Sequence, residues 1–237
     1  MHRLGSELVN WYVVDAGDEG LTVVDAGLPG YGDLMDEQLG ALGRRVDEVR
    51  ALVLTHGHSD HTGLAKRFAD AGARVLVHED DRTLVQRPRP QKTDANPLGA
   101  LRHGHARRFF WHMTRNGALR PTKLSDAETY ADGAELDVPG RPRAIHTPGH
   151  TTGHCALHFP GHDVLFVGDL VCTLNPLTGE TGIRTFPAQF NVDTRQSVQS
   201  LDRIEGLSAS RLLPGHGDPF EGSPADGARA ARAVAPR

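Results

Sequence analysis

The ten residues from Leu52 to His61 (Leu-Val-Leu-Thr-His-Gly-His-Ser-Asp-His) constrain this chain more than any other stretch, because an apolar strand-like run discharges into three histidines and a carboxylate within six residues. His56 and His58 are two apart, so an extended backbone turns both imidazoles the same way, while Asp60 and His61 follow where the chain turns into Thr62-Gly63-Leu64-Ala65. Donors this dense at the end of a strand read as a metal site. Their spacing suits two ions better than one.

The rest of the chain sets the frame for that site. With 237 residues and 38% hydrophobic content it can bury a sizeable core, which predicts a single domain over residues 1–222. A net charge of -4 gives no basic footprint for nucleic acid, and no apolar run reaches membrane-spanning length. The expected partner is therefore a small molecule, with neither nucleic acid nor membrane. Met1 to Glu7 has no charged-then-apolar leader layout, and Cys155 and Cys172 are too few for a disulfide framework, so the expected address is cytoplasmic. Histidine is the compositional outlier, with 14 residues against 3 Tyr and 3 Met.

Short β-prone runs at Val9–Asp15 and Leu21–Asp25, joined through Gly17 and Gly20, predict an opening hairpin. Leu34, Leu39 and Leu42 fit a helix between Tyr31 and Arg45. A strand over Ala51–Leu54, a helix from Thr62 to Ala71 and a strand over Arg74–His78 follow. This alternation predicts a layered α/β fold with chemistry at the strand ends. Between about residues 86 and 122, prolines bracket a basic and aromatic stretch that reads as a helical insertion, with Phe109, Phe110 and Met113 facing the body and arginines outside or over a pocket. Strands are expected over Arg143–Thr147, Cys155–Phe159, Asp163–Val167 and Arg211–Leu213, and a helix over Thr194–Leu207 with Val198, Leu201 and Ile204 inward. The Ala-, Arg- and Pro-rich residues 223–237 read as a flexible tail.

Further donors stand where predicted strands empty into glycine-flanked loops: His150 after Pro148-Gly149, Asp169 after Gly168, and His216 after Pro214-Gly215. Seven nitrogen and oxygen donors, namely His56, His58, Asp60, His61, His150, Asp169 and His216, suffice for two metals. Imidazole and carboxylate without thiolate suit Zn, Fe or Mn. Among the other histidines, His154 is placed to support a ligand, while His78, His103, His105 and His112 read as surface residues.

Together with Asp25-Ala26-Gly27, these motifs stand in an order that resembles the metallo-β-lactamase fold superfamily of binuclear metallohydrolases, over Val13 to about Gly217. The resemblance implies a four-layer αββα sandwich of the α/β class. It implies a first metal on His56, His58 and His150, a second on Asp60, His61 and His216, Asp169 bridging, and Asp25 supporting a ligand from behind. Two divalent ions, zinc before iron or manganese, are the implied cofactors.

The activity so implied is hydrolysis of a small ester, thioester or lactone by a hydroxide bridging the metals, with Asp60 orienting the water. The motifs are those of the glyoxalase II-like and lactonase-like branch. Classical glyoxalase II adds a C-terminal glutathione-binding domain, for which about twenty residues after His216 leave no room. Quorum-signal lactonases carry a tyrosine where Cys172 stands, and exported β-lactamases of the fold generally lack the bridging aspartate. A mononuclear-iron persulfide dioxygenase, a phosphodiesterase and a non-catalytic ligand sensor are the alternatives. Phe109, Phe110, Trp111 and Phe186 are candidates either for walls against an apolar acyl or aromatic group or for sealing the core.

Overall fold

Apolar residues that alternate along the strands sort into two sheets, each with both faces covered. The computed structural model of the chain describes residues 1–235. Its first sheet runs β1 (His2–Gly5), β2 (Asn10–Asp15), β3 (Leu21–Val24), β4 (Val49–Val53), β5 (Arg74–His78) and β6 (Glu128–Tyr130), in that spatial order. β1 to β3 are antiparallel neighbours and β3 to β6 are parallel. The connections that parallel pairing demands carry α1 (Gly32–Ala41), α2 (Ser59–Thr62), α3 (Ala65–Asp70), α4 (Arg82–Gln86) and α5 (Gly104–Arg115).

The second sheet is built from β7 (Arg143–His146), β8 (Cys155–Phe159) and β9 (Val164–Gly168). A separate antiparallel pair, β10 (Val171–Leu174) and β11 (Thr181–Thr185), follows. After α6 (Thr194–Ser200) and α7 (Asp202–Glu205), β12 (Arg211–Pro214) pairs parallel with β9, and β13 (Phe220–Glu221) closes the order β13-β12-β9-β8-β7 before α8 (Pro224–Ala233).

Three apolar layers hold these pieces together. Tyr12, Val14, Val24 and Val53 of the first sheet meet Leu157, Phe159, Phe166 and Leu213 of the second. Tyr12 and Phe166 pack edge to face with centroids 5.1 Å apart. Their chain neighbours point the other way: Trp11, Val13, Val23 and Leu52 pack with Met35, Leu39 and Phe68 of α1 and α3. Ile145, Leu165, Val167 and Leu212 likewise pack with Ile204, Ala228 and Ala231 of α7 and α8. A one-residue slip in any strand would exchange the two layers, so the pattern fixes the register. Truncating a side chain such as Phe166, fully buried between the sheets, to alanine costs about 3–5 kcal/mol. Helix, sheet, sheet, helix is the αββα order that the sequence implies.

Several boundaries differ from the sequence expectation, each for a local reason. The helix expected to reach Arg45 stops at Ala41, because Gly43 takes φ +67° and turns the chain out. The stretch Thr62–Ala71 splits into α2 and α3 around Gly63, which lies against the Leu28–Pro29 backbone so closely that a Cβ would sit 2.2 Å from Leu28 C. Residues 223–237, expected as a flexible tail, instead contain α8. Ser223 caps it by accepting from the Asp226 backbone N–H, Ala228 and Ala231 are buried, and Arg232 pairs with Asp202 and Glu205. Alanines three apart form a helix face as well as leucines do, without the hydrophobicity that announces one. Pro236 and Arg237 lie outside the described residues. No helix among the described residues is long and apolar enough to cross a membrane.

Candidate metal centre

Five strand ends meet at one edge of the sandwich, those of β3, β4, β7, β9 and β12, and each delivers one piece of the site. All seven donors named from the sequence converge there. His56, His58 and His150 bring one donor atom each within 4.8 Å of one another, as do Asp60, His61 and His216, and as do His56, His61 and Asp169. The Asp169 carboxylate lies between the first two trios. Its Oδ2 is 3.3 Å from both His150 Nε2 and His216 Nε2, and its Oδ1 is 3.6 Å from His61 Nε2. All but His58 are buried. Gly215 makes this approach possible, since a Cβ there would stand 2.3 Å from Asp169 Oδ1 and 2.6 Å from His61 Cε1.

The hydrogen bonds behind the imidazoles decide which nitrogen faces inward. His61 Nδ1 donates to Asp25 Oδ2 at 2.8 Å, and His216 Nδ1 donates to the Leu8 carbonyl. His150 Nδ1 donates to Asn191 Oδ1 at 3.0 Å, an amide whose nitrogen is spent on the Phe186 carbonyl. The Thr55 hydroxyl gives its proton to Asp25, so His56 Nδ1 donates to Thr55 Oγ1 at 3.0 Å. His58 is reversed, with Nε2 donating to Gln91 Oε1 at 3.0 Å. Every ring therefore turns a lone pair toward the centre. His56 Nε2, His61 Nε2, His216 Nε2 and Asp169 Oδ1 are buried with no hydrogen-bond partner. His58 Nδ1 and His150 Nε2 face each other at 2.8 Å. Lone pairs at that distance need a cation between them, so the donor set fits metal ions.

Charge around the centre tells the same story. Burial depresses His56 and His150 well below the usual histidine range, leaving them neutral ligands. Burial would also lower His61 and His216, but carboxylates led by Asp169 outweigh it and raise both, His216 to about 10. The pocket calls for positive charge.

Support comes from Asp81, which the sequence motifs did not announce, as well as from Asp25 and His154, which they did. Asp81, buried just after β5, accepts from Gly57 N at 2.8 Å, Thr151 Oγ1 at 2.7 Å and Gly153 N at 2.8 Å, clamping the His56 loop to the His150 loop. Asp25 holds its position from a left-handed backbone, φ +60°, a conformation Asp tolerates at modest cost. His154 accepts from the Asp169 backbone N–H at 3.0 Å, which keeps its ring away from the centre. His78 is not a surface residue: it is buried and stacks on His146 at 4.2 Å, 9° from parallel. Those two histidines and Asp80 form another trio, but His146 Nε2 donates to the Thr152 carbonyl and parallel rings cannot aim in-plane lone pairs at one ion. Cys172 is buried, and burial raises its thiol far above the ordinary range, so it packs as a small apolar side chain.

Residues 4–216 match the family described as the metallo-beta-lactamase superfamily. This chain belongs to it. A relative named probable metallo-hydrolase YflN, from Bacillus subtilis (strain 168), is 28% identical, with 94% of this chain and 85% of the relative covered. The crystal structure of the metallo-beta-lactamase family protein TTHA1429 from Thermus thermophilus superposes with a TM-score of 0.68 at 27% identity, covering 95% of this chain and 73% of that one. The protein TTHA1623, solved in a di-iron-bound form, gives a TM-score of 0.64 at 25% identity, with 98% of both chains covered.

In this superfamily member the centre opens onto a cavity of about 480 Å³ whose floor includes His58, Asp60, His150 and Asp169. Its walls come from the 86–122 insertion, through Phe109, Phe110 and Met113, and from the segment after β11, through Phe186 and Phe190. Trp111 is not a wall. It stands on the opposite face of α5 from Phe109 and is 68% exposed.

Proposed function

We propose that this chain is a hydrolase that uses two divalent metal ions, zinc in preference to iron or manganese, to cleave a small carboxylic ester, thioester or lactone. The observation that carries this reading is the ring of inward lone pairs sharing one carboxylate, Asp169, at the floor of a largely apolar cavity. Ions held there would polarise the scissile carbonyl and activate water for attack. Two trios with Asp169 between them favour two ions over the single iron of a dioxygenase. The phenylalanine walls suit an apolar acyl or aromatic group and keep bulk water from the reacting carbonyl.

Asp60 lies at the floor of the cavity with Oδ2 3.5 Å from His216 Nε2. Burial raises its carboxyl, but His61 and His216 outweigh that and bring it down to about 2. A carboxylate that weakly basic orients an attacking water by accepting its hydrogen bond, without taking its proton. Two free, buried cysteines suit a reducing compartment and a cytoplasmic address.

The test is elemental analysis of protein purified without added metal, with turnover measured on thioesters, lactones and phosphodiesters. Two ions per chain with ester or thioester cleavage is the expected result. One iron with oxygen consumption on a persulfide overturns it, and cleavage of phosphodiesters alone replaces the substrate class. Asp60→Asn is expected to bind the second ion more weakly and to stay inactive even when excess metal fills both sites; full activity in that variant would remove the orienting role.

A further inference from the structure

The 86–122 insertion carries eight Lys and Arg residues against one acid, Asp94, in a chain whose net charge is -4. Most cations elsewhere lie in carboxylate pairs, such as Arg67 with Asp36, Arg74 with Glu128 and Arg203 with Asp132. Within the insertion, among the described residues, only Arg108 has such a partner, Glu7. A merely solvated basic helix would be expected to interleave acids at i+3 or i+4, and α5 contains none. Five of these seven unpaired cations stand on the cavity lining or one residue from it along the chain. Arg89 lines the cavity, and Arg87, Lys92, Arg115 and Arg120 are each the chain neighbour of a lining residue. The two acids at the floor, Asp60 and Asp169, belong to the metal trios, whose cations would neutralise them.

Deepening the hydrolase reading of the centre, on which it rests, we propose that the pocket takes an anionic amphiphile as substrate. Its apolar group lies along the Phe109, Phe110, Phe186 and Phe190 walls, and its anionic group sits at the mouth against Arg89 and the neighbouring unpaired cations. The metals receive the bond to be broken, the phenylalanines receive the apolar group, and the basic mouth distinguishes an anionic ester or thioester from a neutral one of the same size. Arg89 lines the cavity and four further unpaired cations are one residue from its lining, so their fields would add at the mouth and salt would weaken them together.

Two dyes that differ only in a sulfonate separate the charge from the apolar surface. The metal-loaded protein is titrated with 8-anilinonaphthalene-1-sulfonate and with N-phenyl-1-naphthylamine, reading dye fluorescence at low and high salt. The sulfonated dye is expected to bind about tenfold tighter at low salt, with the preference shrinking as salt rises. The double variant Arg89→Glu, Arg120→Glu should erase the preference, with Arg89→Gln, Arg120→Gln intermediate in case charge reversal disturbs folding. Ala118→Trp, which would fill the cavity from a lining position, should displace both dyes. Equal affinities in the native protein, a preference that survives charge reversal, or dye binding indifferent to Ala118→Trp would each overturn the proposal. If the preference holds while no ester or thioester is cleaved, the hydrolase reading falls and the anion-selective pocket stands.

Discussion

The metal centre and the 86–122 insertion sit within a few ångströms of each other and are built on opposite principles. At the centre, four of the five imidazoles are fixed by partners from a different part of the chain, as in His61 with Asp25, His150 with Asn191 and His216 with the Leu8 carbonyl. All the donors but His58 are buried, their lone pairs are aimed, and the clamp at Asp81 ties the two sheets' loops together. The insertion, by contrast, holds on through the apolar face of α5 and a few hydrogen bonds, such as the Gly30 N–H to the Asn116 carbonyl, and leaves most of its charge in water. Such a division separates chemistry from selection. A rigid set of donors can serve many substrates, while the wall beside it can change without disturbing them.

If that division is right, the largest effects belong to the centre. Asp169→Asn removes the only charge that both trios share, and the metal content is expected to fall below two ions per chain with at least about a 10³-fold loss of turnover. Elemental analysis beside kinetics checks this, and two bound ions with near-native turnover would break the picture of a shared bridge. Next comes Asp81→Ala. It strands Gly57 N–H, Thr151 Oγ1 and Gly153 N–H without an acceptor in a fully buried site. A loss of about 3 kcal/mol in denaturant unfolding is expected. Metal affinity, read by chelator competition, should drop with it, because the two histidine loops are no longer held in register.

The sequence exposed the centre far better than it exposed what supports it. Ligands are legible because few side chains can bind a metal and because they stand at strand ends, where apolar runs break into glycine-flanked loops. Their supports act across the chain: Asp81 reaches back 24 residues to Gly57, Gln91 back 33 to His58, and Leu8 lies 208 from His216. No local pattern marks such partners. Strands with two covered faces, such as Cys155–Phe159, are legible as short, nearly continuous apolar runs, whereas β1 and β13 are short edge strands with little apolar content. Trp111 shows the limit of residue type as a guide. Its chemistry suggested a pocket wall or a seal on the core, but at 100° per residue it falls on the far side of α5 from Phe109, exposed and in neither place.

The smallest effect is the most discriminating, because it lies where the two regions touch. Gln91 belongs to the insertion, yet its Oε1 accepts from His58 Nε2 and so selects the tautomer that turns Nδ1 inward. Gln91→Ala leaves the ring free to take either tautomer and to rotate. A roughly tenfold loss of metal affinity is expected, the lower end for removing an outer partner of a ligand. Stability should barely change, since water can replace the lost acceptor at a half-buried position. Trp111→Ala provides the contrast on the same insertion: with no role at the centre and a mostly exposed ring, it should shift stability by less than about 0.5 kcal/mol and leave metal affinity alone. Chelator competition on the two variants decides the matter. If Gln91→Ala matches Trp111→Ala, the insertion is only a wall and the division between the regions is complete. If Gln91→Ala alone weakens metal binding, the insertion reaches into the chemistry at one residue, and changes to the substrate wall carry a cost in metal affinity through His58.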